Sequence, residues 1–218
     1  MKKHKKPLSK RANIPGVPQG KNVVKRYIIY ADKSEIRYMK ELLNYAESIQ
    51  DSNSANVKVQ FKETQGGSPD INVQDILRKI RFDRIGNDDA TIICVCDQDQ
   101  YTPEQFARAQ AEAAEHGILL CVSSPCFELF LVLHFQEVTA PADFRWCERK
   151  LERYLGEPYQ KADPKIFEKI RAAGGSAGDA VRRARRMAAQ TDPASRFTAN
   201  PYTELHLLVE LLADSADL

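Results

Sequence analysis

A chain of 218 residues, 43 % of them hydrophobic, is long and apolar enough to bury one α/β domain with a helical appendage, or two small domains. Its 32 basic and 30 acidic residues cancel to a net charge of +2, so the overall charge favours no class of partner. No apolar stretch reaches the length of a membrane span, and the five cysteines contain no CxxC pair, which argues against a zinc ribbon or a thioredoxin-like site.

The charge is unevenly distributed. No acidic residue precedes Asp32, whereas Lys2, Lys3, Lys5, Lys6, Lys10, Arg11, Lys21, Lys25 and Arg26 all do. Pro7, Pro15, Gly16, Pro18 and Gly20 interrupt the same stretch, so residues 1–22 read as a flexible basic arm. Such an arm either adds phosphate contacts to a nucleic-acid footprint, Lys21 among them, or merely solubilises. It is not read as a secretory signal, because no apolar segment follows the lysines.

Lys25 to Tyr30 (KRYIIY) predicts a buried strand, followed by a helix that Ser34 can cap, with Ile36, Met39, Leu42, Leu43 and Ala46 at helical spacing. VKVQFKET (57–64) alternates as a half-buried strand does. The turn QGGSPD leads to a helix bearing Val73, Ile76, Leu77 and Ile80. ATIICVC (90–96) is a continuous apolar run suited to a parallel strand covered on both faces, and it ends at Asp97-Gln98-Asp99-Gln100. Cys94 and Cys96 alternate onto one face, as reduced core cysteines of a cytoplasmic protein.

Thr102, Pro103 and Gln105 form a capping box before an Ala-rich helix that His116 and Gly117 end. ILLCV (118–122) is the next strand, and CFELFLVLHF (126–135) an apolar helix. From about Asp143 the pattern is helical only: Asp143 to Leu155, a short helix after Asp163-Pro164, Asp179 to Gln190, and a last helix after Asn200-Pro201. The expected organisation is therefore an arm (1–22), an α/β domain (23–140) with a small, mostly parallel sheet flanked by helices, and an all-helical extension (141–218) packed on it.

Ligands of such sheets bind beyond the carboxyl ends of the strands. That edge gathers 31–35, 97–100 and 123–125, and thereby brings the first-loop acids Asp32 and Glu35 towards Asp97 and Asp99. Two aspartates at i and i+2 just past a strand can hold a hard cation through oxygen, and Mg²⁺, or Mn²⁺, suits a site it shares with phosphate. Glu128 occupies either an exposed stripe of its helix or the same acidic edge. His134, a lone helical histidine, is most simply a core or surface residue. Arg182, Arg183, Arg185 and Arg186 form a ridge available to phosphates or, equally, a solvated face paired with acids.

The segment SSPCFELFLVLHF (123–135) resembles the SNPCFExWLLLHF signature of RloB-like proteins. ANPYTELHLLVELL resembles their C-terminal NPxT-leucine motif, and Tyr159-Gln160-Lys161 their YxK element. The resemblance runs from about Lys25 to Leu212. It implies a Toprim-like fold in a cytoplasmic antiphage, abortive-infection protein of prokaryotes, encoded beside an SMC- or ABC-like ATPase as in AbiL-type systems.

It further implies a Mg²⁺-dependent nuclease acting on DNA or RNA, tRNA included, with no membrane partner and with self-association allowed. Asp97, Asp99 and Glu128 would be the metal ligands, Asp32 or Glu35 the base, and Lys21, Lys161, Arg182, Arg183 and Arg186 the contacts to nucleic acid. The first-strand motif departs from the family's CEGxxTE: here IYADKSE keeps Ser34-Glu35 for TE, but ungapped alignment puts Tyr30 at the Toprim glutamate. Asp32 is then the expected substitute. The competing expectation is a degenerate Toprim-like module that senses or scaffolds without cleaving. A third is a plain nucleic-acid-binding protein.

Overall fold

The computed structural model describes residues 25–49, 57–64, 66–83, 90–98 and 101–212. The basic arm, Lys21 and Asp99 lie outside the described residues. The elements run β1 (Lys25–Ala31), α1 (Lys33–Ile49), β2 (Val57–Glu63), α2 (Pro69–Asp83), β3 (Thr91–Asp97), α3 (Pro103–Glu115), β4 (Ile118–Ser124) and α4 (Glu128–Leu133). The extension follows as α5 (Phe144–Leu155), α6 (Ile166–Ala172), α7 (Ala177–Gln190), β5 (Tyr202–Thr203) and α8 (Leu205–Leu212). The fold is α/β: a five-stranded sheet, ordered β2-β1-β3-β4-β5, with helices on both faces. β1 to β4 are parallel, and β5 pairs antiparallel with β4 through Ser123 with Thr203 and Ser124 with Tyr202.

β5 corrects the expectation of helices alone beyond residue 143. Asn200-Pro201 does not cap the last helix but precedes this short edge strand. Two residues are too few to leave a period in the sequence. What locks them is side-chain bonding: the Glu204 carboxylate accepts the Val122 N–H at 3.0 Å, the Tyr202 hydroxyl at 2.7 Å and the Arg196 guanidinium at 2.7 Å. Ser34, likewise, is no cap. α1 opens at Lys33, leaving Ser34 buried inside its first turn.

Strand alternation divides the core in two. On one face Ile28, Tyr30, Ile92, Cys94 and Cys96 pack against Val73, Ile76 and Ile80 of α2 and Phe106, Ala109 and Ala113 of α3. The other face carries Tyr27, Ile29, Ala31, Ile93, Val95 and Cys121, packed against α1 and against all the helices of the extension in one continuous core. All five cysteines are buried and free. The predicted capping box of α3 is present in both directions, Gln105 N–H to Thr102 Oγ1 and Thr102 N–H to Gln105 Oε1. α5 is capped by Asp143 and closed by Gly156 in the left-handed region, as its sequence predicts.

α4 settles where Glu128 goes. Every residue from Glu128 to Leu133 is buried, which is what a helix apolar all round requires. Each fully buried Leu, Phe or Val of this helix contributes about 1.5–3 kcal/mol by removal from water. With no exposed stripe on this helix, the Glu128 carboxylate is buried too, where the Tyr159 hydroxyl reaches it.

A buried acidic site at the carboxyl edge of the sheet

β1 and β3 are adjacent, yet the helix after β1 leads to β2 on one side and the helix after β3 leads to β4 on the other. Their carboxyl ends therefore flank a topological switch point, the crevice where open α/β sheets bind ligands. Asp97 is the last residue of β3. It continues the parity of Ile93 and Val95, so its side chain leaves the sheet on the face covered by α1 and α4. Glu35 lies in the first turn of α1, and Glu128 is the first residue of α4. Three carboxylates from three segments thus converge on one edge.

Their electrostatics couple them to one another. Burial first, then the charge of Asp32 and that of Glu128, push the Glu35 carboxyl up to about 7, although a hydrogen bond from its own backbone N–H and the charge of Lys161 pull the other way. Asp97 is driven well above the usual carboxylate range, again by burial and then by Glu35 and Glu128, against the opposing Phe127 N–H and Lys161. Asp32 is different. It is exposed at the end of β1, and its Oδ1 accepts the Thr64 hydroxyl at 2.6 Å. Of the two first-loop acids, Glu35 rather than Asp32 is the one enclosed with Asp97 and Glu128.

Two oxygens carry the chemical message. Glu128 is fully buried; its Oε1 accepts the Tyr159 hydroxyl at 3.0 Å, but its Oε2 finds no hydrogen-bond partner among the described residues. The same holds for Asp97 Oδ1, an enclosed atom of a part-buried residue. Leaving a buried polar oxygen unpaired is costly, and such atoms are where a water or an ion is accommodated. Unpartnered carboxylate oxygens suit a hard divalent cation. Among the described residues no three His, Cys, Asp or Glu side chains are grouped to hold a metal ion by themselves. Of the expected ligands, Asp97 and Glu128 are the two whose oxygens stand open here, and Asp99, the third, lies outside the described residues.

The extension supplies the rest of the site, and motif reading had given it no such role. Tyr159 holds Glu128, and Lys161, expected on nucleic acid, faces the acids: burial works against its charge, but Glu128, Asp97, Glu35 and Asp32 outweigh that and hold it above the usual lysine range. The only sequence signal for either was the YxK spacing.

The arginine ridge is elsewhere. On α7, Arg182 pairs with Asp179, Arg183 with Asp179 and the Leu133 carbonyl, Arg185 with Glu210 at 2.6 Å, and Arg186 with Glu137. The geometry favours the face paired with acids over a free phosphate ridge. His134 is a core residue, its Nε2 2.8 Å from the Tyr38 hydroxyl. Tyr30, fully buried, points into the α2/α3 core on the face opposite Asp97.

Among the described residues no helix is long and apolar enough to cross a membrane. The family model described as RloB-like protein matches residues 27–212. No curated protein matches the chain, and no solved structure does.

Proposed function

The chain belongs to the RloB-like protein family, and from that premise we propose that it is a divalent-metal-dependent nuclease of Toprim type, serving prokaryotic antiphage defence with an SMC- or ABC-like ATPase as partner. One observation carries the reading: the enclosed, unpartnered oxygens of Asp97 and Glu128 lie with Glu35 at the switch point of the sheet. Asp97 and Glu128 would hold Mg²⁺ or Mn²⁺, with Asp99, two positions on in the sequence, the further ligand expected. The ion supplies charge against the phosphate and acidifies a water.

The side chains divide the remaining work. Glu35, with its carboxyl near 7, is suited to take a proton from the attacking water at neutral pH, a role that contributes typically about 10²–10⁴-fold. Tyr159 fixes the carboxylate plane of Glu128, so that Oε2 is the oxygen presented. Lys161, exposed at the mouth, is the cation an incoming phosphodiester meets first. The basic arm would extend the footprint along a DNA or RNA backbone, tRNA included.

A second reading, a sensor or scaffold that binds without cleaving, is favoured by Tyr30, which brings no carboxylate from β1 to this face. The deciding experiment incubates the full chain with labelled DNA and with total RNA, in Mg²⁺ or Mn²⁺, with and without an SMC- or ABC-like ATPase from the same genome. Cleavage by the wild type that Asp97→Asn and Glu35→Gln each reduce by at least about 10²-fold supports the nuclease. A wild type that binds the ion and never cleaves, partner present, supports the scaffold.

A further inference from the structure

We propose that the outer ridge of α5, formed by Arg145, Arg149 and Arg153, is the face along which the sugar–phosphate backbone of a nucleic-acid strand lies as it enters the acidic site. This rests on the reading of that site as a nuclease centre, and adds the surface that seats the substrate.

The sequence FRWCERKLERYL lays the surface out. Cys147 and Leu151 turn one side of α5 into the core, and helical geometry gives the opposite side to positions 145, 149 and 153. All three arginines are exposed, and neighbours four residues apart have Cβ atoms about 5–6 Å from each other. None of them forms an ion pair among the described residues. The acids of the helix, Glu148 and Glu152, lie on one flank of the ridge. Neither has a basic residue three or four places further on, the direction in which such pairs form best. Trp146 and Lys150 lie on the other flank, the ammonium 5.2 Å from the centre of the indole ring.

Two observations set this row apart from an ordinary solvated face. On α7 each arginine of the ridge is taken up by an acid, Arg182 and Arg183 by Asp179, Arg185 by Glu210 and Arg186 by Glu137. The α5 row has no such partner, and like charges at i, i+4 and i+8 repel one another, which an anionic strand relieves. The second observation is position. α5 packs against α4, which Glu128 opens. At the start of α5 the Phe144 ring has the Lys161 ammonium 5.9 Å from its centre, and two residues before Lys161 the Tyr159 hydroxyl reaches Glu128. At the far end Tyr154 stacks on Phe135, just past α4, with ring centres 4.2 Å apart. The ridge thus runs alongside α4 and outwards from its Glu128 end. Guanidinium forks match the geometry of phosphate and carry no base readout, so the surface takes a strand by its backbone.

Fluorescence anisotropy of short labelled single strands, DNA and RNA in separate arms, tests this on the full-length protein in EDTA, where cleavage cannot intervene, from about 50 to 200 mM salt. Wild type is compared with a triple α5 variant (Arg145→Gln, Arg149→Gln, Arg153→Gln) and a triple α7 variant (Arg182→Gln, Arg185→Gln, Arg186→Gln) that loses the same charge, each checked by thermal melting. The α5 variant should lower the slope of log Kd against log salt by about 2 and weaken binding by at least about 10-fold at the lowest salt, while the α7 variant binds as wild type does. Wild-type slope and affinity in the folded α5 variant, or an equal loss in the α7 variant, overturns the surface and leaves the nuclease reading standing. Polyglutamate that binds as tightly as the strands and loses as much in the α5 variant assigns the ridge to an acidic protein and overturns the proposal. A wild type that binds no strand overturns it too, and the nuclease reading falls with it only if that wild type also leaves DNA and RNA uncut in Mn²⁺.

Discussion

The hydroxyl of Tyr159 donates to Oε1 of Glu128 at 3.0 Å, joining the loop after α5 to the first residue of α4 across 31 residues of chain. That bond ties the helical extension to the edge of the sheet where Asp97 and Glu35 converge. The extension is thus part of the site and not only a cover for the core. Glu128 is left with one oxygen satisfied and one bare.

Tyr159→Phe should remove the partner that Glu128 Oε1 has among the described residues and destabilise the fold by about 1–3 kcal/mol, the usual consequence of leaving a buried acceptor unsatisfied. Urea titration of the two proteins measures this. An unchanged midpoint would mean that water already serves Glu128 and that the tyrosine positions nothing.

Tyr30→Glu should not rescue or create activity, because position 30 faces the α2/α3 core and not Asp97. It should destabilise by at least about 3 kcal/mol, through loss of a buried aromatic ring and burial of a carboxylate. The ammonium groups of Lys62 and Lys79, 5.8 and 5.7 Å from the ring centre, offset part of that charge. A variant that melts like wild type, or one that cleaves faster, would show that β1 presents this residue to the site after all.

His134 should make stability depend on acid. Burial, and then the charge of Arg183, lower its pKa from 6.5 to about 3, against Asp179. The folded state keeps the imidazole neutral while the unfolded chain takes up a proton below about 6.5. The contribution is therefore fully present above pH 6.5 and is lost as pH falls towards 3, at up to about 1.4 kcal/mol per pH unit. Unfolding midpoints between pH 7 and 4.5 for wild type and His134→Gln check it: the variant should show the shallower loss. Parallel curves would contradict the assignment.

Most of the parallel core was readable because its signals are local: alternation in β2, the unbroken apolar run of β3, the capping box of α3. What could not be read depends on distance in the chain. β5 is two residues held by a glutamate network, and the partners of the α7 arginines come from Glu137 and Glu210 on other segments. Asp32 was the expected substitute for the missing glutamate, with Glu35 second; it is Glu35 that is buried and Asp32 that is exposed, and depth is a property of packing. The paired aspartates drew attention to the edge where Glu35 and Glu128 also lie. The Tyr159–Glu128 bond and the lysine facing the acids come from a loop that enters the site from the far end of α5.

The central claim is that Asp97 and Glu128 hold a divalent cation at the switch point of the sheet. Crystals of the full chain soaked in Mn²⁺, with data collected at the manganese edge, test it most directly. The account predicts an anomalous peak in coordination distance of Asp97 Oδ1 and Glu128 Oε2, absent from crystals of Asp97→Asn. Saturating Mn²⁺ with no peak between those oxygens, or a peak that survives Asp97→Asn unchanged, would contradict it.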